Sequence, residues 1–79
     1  MKIIPLKNKY GFHFDGEYVN IYREINLQWH KINSCLITQE LRKIINWIMK
    51  ENNSRFPSFN YLTEYADDFL FELRNMNII

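Results

Sequence analysis

What this chain lacks narrows it first. A single cysteine, Cys35, rules out an internal disulfide and fits a reducing compartment. With only two glycines and two prolines, there is no glycine-rich loop to cradle a phosphate, no linker and no low-complexity tract. His13 and His30 stand apart from each other and from Cys35, at no spacing a metal site uses. Neither histidine has a local thiol or carboxylate placed as a nucleophile–base couple requires. No apolar run reaches the length that spans a bilayer, and the Met1–Lys7 stretch, short and broken by Pro5, is not expected to act as a secretory signal. These absences point away from an enzyme, a metalloprotein and a membrane protein. They predict a cytoplasmic chain without metal or cofactor, in which Cys35 serves as a small apolar residue.

What is present is apolar bulk. Of 79 residues, 47% are hydrophobic and 16% aromatic, which lets one domain over residues 1–79 hold a core near the lower size limit. A partner or a second copy would add to its stability. The abundance of Ile, Asn and Lys fits the coding bias of an AT-rich genome, such as that of a phage or a low-GC bacterium. Net charge is +1, but its distribution is uneven: residues 1–55 carry nine Lys/Arg against five Asp/Glu. Residues 56–79 carry Arg74 against Glu64, Asp67, Asp68 and Glu72. Such asymmetry marks either two different faces or two halves that attract each other.

The pattern predicts an α+β fold: an N-terminal antiparallel hairpin or three-stranded meander over about residues 2–30, packed against helices over 38–51 and 58–76. Tyr10, Phe12 and Phe14 alternate with Gly11 and His13, and Asp15-Gly16 supplies a two-residue turn signal. That turn sets Phe14 opposite Glu17, Phe12 opposite Val19 and Tyr10 opposite Ile21. Alternation runs on through Val19, Ile21, Ile25, Leu27 and Trp29, as one bent strand or two strands broken near Arg23-Glu24. Ile3, Ile4 and Leu6 suit a short strand that Pro5 confines to an edge. Thr38 is the expected N-cap of the first helix, with Glu40 in its first turn and Leu41, Ile44, Ile45 and Ile48 as its apolar stripe. Asn52-Asn53-Ser54 ends it, and Pro57 before Ser58 suits a fresh start.

In the last segment Leu62, Tyr65, Ala66, Phe69, Leu70, Leu73 and Met76 share a helical face. The rival is a strand, because Phe69, Phe71 and Leu73 also alternate, but that template explains only about five residues. The opposite face is polar, with Glu64, Asp68 and Glu72 four apart and Asp67 beside them. Phe71 breaks that face with an aromatic ring set among carboxylates, the anatomy of an interface hot spot. Its competing role is packing, under the N-terminal strand or Ile78-Ile79. Tyr61 and Trp47, at the edges of their stripes, extend such a surface or widen the core.

A second candidate surface is the stretch from Lys9 to Phe14, which combines a basic residue, a glycine and alternating rings. It resembles the aromatic strand of cold-shock domains and RNA-recognition motifs, over six residues and without the glycine that normally follows the lysine. That resemblance implies base stacking by Lys9, Tyr10 and Phe12. The two C-terminal helices depart from both folds, and a charge of +1 favours a packing role for these rings.

The expected function is therefore non-catalytic protein binding, in the manner of an immunity protein, an antitoxin or a phage-encoded blocker. Glu64, Asp67, Asp68, Phe71 and Glu72 would dock on a basic protein partner, filling a channel meant for a phosphate backbone. The alternatives are a small RNA- or single-stranded-DNA-binding module built on the hairpin, and an accessory or self-associating subunit that closes a homodimer.

Overall fold

The computed structural model describes residues 2–54 and 61–79, with side chains of the last helix described from Glu64 onward. Four strands precede two helices: β1 (Ile4–Pro5), β2 (Tyr10–Phe14), β3 (Tyr18–Ile25), β4 (Gln28–Leu36), α1 (Gln39–Asn52) and α2 (Tyr61–Asn75). This is the α+β order read from the sequence, with one strand more than the meander. The chain divides into two compact units, Met1–Ile37 with Ile78 and Thr38–Asn77 with Ile79.

In the first unit the strands form an antiparallel sheet in the order β1-β2-β3-β4. β1 is an edge, which leaves Pro5 without an outer ladder to break. Every connection is tight. Asn8 and Lys9 both have positive φ, and the Tyr10 amide donates to the Lys7 carbonyl at 3.1 Å, closing the first turn. Asn26 and Leu27 repeat the arrangement between β3 and β4, at φ 53° and 64°. Positive φ at both central residues is what a type I′ hairpin demands.

Two expectations change here. The chain turns at Asn26-Leu27, not at Arg23-Glu24, so β3 continues to Ile25 and Glu24 pairs with Trp29. Trp29 therefore lies on the face opposite Val19 and Ile21, while Ile25 and Leu27 are exposed. The β2–β3 register also differs: Phe14 meets Val19, Phe12 meets Ile21 and Tyr10 meets Arg23. The turn is centred on Gly16-Glu17, because the Asp15 carboxylate accepts from the Glu17 and Tyr18 amides at 3.0 and 2.7 Å. That role places Asp15 just outside the turn and hands the positive φ, 100°, to Gly16. The shift is two residues, so the same faces still meet.

Both faces of the sheet carry covered apolar groups. Ile4, Phe12, Val19 and Ile21 are buried on one, with Phe12, Val19 and Ile21 fully so. On the other, Tyr22 is buried beside its cross-strand partner Gly11. A Cβ at Gly11 would stand 2.8 Å from Ile3 Cγ2 and 3.0 Å from the Trp29 ring. Glycine is there so that Ile3 and Trp29 can close over the strand. A bulge between Ile21 and Tyr22 leaves Ile32 of β4 outside the register.

In the second unit α1 is capped as expected: the Thr38 hydroxyl accepts from the Leu41 amide at 3.1 Å. Leu41, Ile44, Ile45 and Ile48 are its buried stripe, with Lys50 in the last turn. On α2, Ala66, Phe69, Leu70 and Leu73 are buried and Tyr65 is half-buried, as is Met76 just beyond its end. The helical reading of this segment holds over its described length. Asn77 follows at φ 59°, in the left-handed conformation that asparagine tolerates at helix ends. The expected start at Ser58 after Pro57 lies outside the described residues. No described helix is long and apolar enough to cross a membrane.

Candidate protein-binding groove

The polar face of α2 does not stand alone. Four residues of α1 at helical spacing, Glu40, Lys43, Ile44 and Trp47, share an open groove with Asp68, Phe71 and Glu72 of α2. Positions one and two turns apart fall on one side of a helix, so each helix contributes a continuous strip. The buried Ile44 lies on the groove's apolar side. Phe71 is 61% exposed and Trp47 47%.

The two rings are held differently. Trp47 packs against Tyr65, with centroids 5.3 Å apart and planes inclined by 34°. The indole is thereby braced on one side and open on the other. Phe71 has no ring or cation partner among the described residues. Charge lines the rim: three carboxylates, from Glu40, Asp68 and Glu72, face one ammonium, from Lys43. Lys43 lies 3.9 Å from Glu40 in an exposed pair, a contact worth little in water. Among the described residues no cation pairs with Asp68 or Glu72.

Of the five residues expected to bind a partner, Asp68, Phe71 and Glu72 come together in this groove. Glu64 and Asp67 are exposed on the same helix but do not line it. Glu40 and Lys43 were missed, although their spacing from Trp47 put them on its side of α1. A reading that weighs each helix separately has no reason to join them.

The hairpin surface is arranged otherwise. Phe12 is fully buried, so its ring has no free face for a base. The Tyr10 ring is half-buried, with the Arg23 guanidinium 5.0 Å from its centroid. Lys9 is exposed but sits in the turn, at φ 64°.

Cys35 and His30 both lie on β4, five residues and so roughly 16 Å apart along an extended strand. Cys35 is half-buried, and burial pushes its thiol pKa up, away from the thiolate a nucleophile needs. His13 sits opposite Asn20, with its Nδ1 buried and without a hydrogen-bond partner. β4 itself is a sheet edge, with Ile32 and Leu36 exposed along it. Its bulge and Lys31 are features that discourage strand addition. Compared with protein-family models, with curated proteins and with solved structures, the chain matches none.

Proposed function

We propose that this protein is a small non-catalytic binding domain of the cytoplasm, an inhibitor that docks the acidic face of α2 and the adjoining groove on a basic protein. The observation that carries the reading is the exposure of Phe71 and Trp47 together, inside a rim of carboxylates. Exposed aromatic anchors framed by charge are the residues that dominate protein interfaces. The charge selects the partner's sign: a surface that normally holds a phosphate backbone presents the Lys and Arg that Glu64, Asp67, Asp68 and Glu72 would meet. Complementary charge speeds the encounter, and the rings supply the desolvated contact that slows release. Blocking such a surface requires no chemistry from the blocker.

The test is recovery of a partner from the source cell, followed by binding measurements on the purified pair. Phe71→Ala should weaken binding by about 30-fold, the size expected of a hot-spot ring, and Asp68→Lys should slow association in a salt-dependent way. Both variants should keep the wild-type circular dichroism spectrum, since both side chains are exposed. A partner retained at full strength by both variants would rule the surface out.

A further inference from the structure

We infer that the groove between α1 and α2 receives one arginine side chain of the partner; this deepens the docking reading and rests on it. The groove measures about 170 Å³, below the size of ordinary small-molecule sites. It has room for a single long side chain.

The lining then selects among side chains. An aliphatic group would cover Ile44, Trp47 and Phe71 but would strip water from Asp68 and Glu72 without replacing their hydrogen bonds. A carboxylate would be repelled by three of its own kind. An ammonium satisfies the charge, yet it is compact and strongly hydrated, and gains least from leaving water beside flat rings. A guanidinium meets both demands, because its plane stacks on an aromatic face while its N–H fork reaches a carboxylate. The Tyr65 contact holds the indole in place beforehand, so less ordering is lost when the guest arrives.

The experiment uses the full chain, labelled with ¹⁵N, and three probes at low salt: hexa-arginine, hexa-lysine and hexa-citrulline peptides. Citrulline keeps the shape of arginine and removes its charge. The expected result is a shift of the Trp47 indole N–H with hexa-arginine while that of Trp29 stays in place. Affinity for hexa-lysine should be lower by about fivefold, and hexa-citrulline should not bind. Phe71→Leu keeps an apolar side chain on the helix but removes the ring; it should bring the two basic peptides to near-equal affinity. Equal affinity for arginine and lysine in the wild type, or shifts that bypass Trp47, would overturn the inference. If Phe71→Ala still weakened capture of a natural partner, docking would stand and only the arginine assignment would fall. Capture indifferent to Phe71 would remove both.

Discussion

Replacing Leu27 by glycine should stabilise the protein. Leu27 occupies the second central position of the β3–β4 turn at φ 64°, and its side chain is 91% exposed. A left-handed conformation costs a residue with a Cβ roughly 1–2 kcal/mol. Glycine avoids that strain but loses about 0.5–1 kcal/mol more backbone entropy on folding. With little burial to forfeit, the net gain is about 0.5–1 kcal/mol, or some 3–6 °C in melting temperature for a domain of this size. The resulting Asn26-Gly dipeptide is the preferred sequence for a type I′ turn. Thermal and urea denaturation followed by circular dichroism measures the effect, and the urea m-value should not change. Leu27→Lys is the control: it removes the exposed apolar surface and keeps the strain, so stability should stay within about 0.3 kcal/mol of wild type. An equal gain from lysine and glycine would refute the reasoning, since the benefit would then come from hydrophobicity and not from φ.

Two further consequences concern the sheet. Gly11→Ala drives a methyl into Ile3 and the Trp29 ring, and should cost about 1–3 kcal/mol by overpacking while blue- or red-shifting Trp29 fluorescence; an unchanged melting temperature would deny the close approach. The Asp15 carboxyl is held below its ordinary value of 3.8, first by the Tyr18 amide and then by that of Glu17. A depressed carboxylate pKa contributes stability that is fully present above the unfolded-state value and is lost as pH falls through the folded-state value. NMR titration of Asp15 should therefore give a midpoint below 3.8, with the Glu17 and Tyr18 amides tracking it, and Asp15→Asn should flatten that part of the acid profile.

How far the fold was legible depended on whether local chemistry and tertiary demand agreed. At α1 they agree: a threonine cap, an acidic first turn and an apolar stripe all name the same helix, and each is in place. At the two I′ turns they conflict. Asn8 and Asn26 are good turn residues, but Lys9 and Leu27 stand where glycine is usual. The flanking strands, pairing on both sides, impose a backbone conformation that neither residue prefers. Leu27 misleads twice, because its apolar character also continues the alternation of β3. At Asp15-Gly16 the signal was right and its placement off by one, since an aspartate that accepts from the amides beyond the turn belongs beside it and not within it.

The candidate site was half legible for a related reason. Periodicity says which face of a helix is buried, so a residue that breaks it is visible from one segment alone, as Phe71 was. It does not say which exposed residues of two helices become neighbours, and so Glu40 and Lys43 went unread. Most other exposed apolar groups have an account in the fold: Leu27 is in a turn, Ile25 at its margin, and Ile32 and Leu36 along an edge strand. Phe71 has none, and Trp47 has only its one-sided contact with Tyr65. A charged residue at position 71 would suit an exposed helix face as well or slightly better by helix propensity. Single exposed rings are common on protein surfaces. Two in one groove, with the Asp68 and Glu72 carboxylates beside them, are what the proposed cationic, partly flat guest would need.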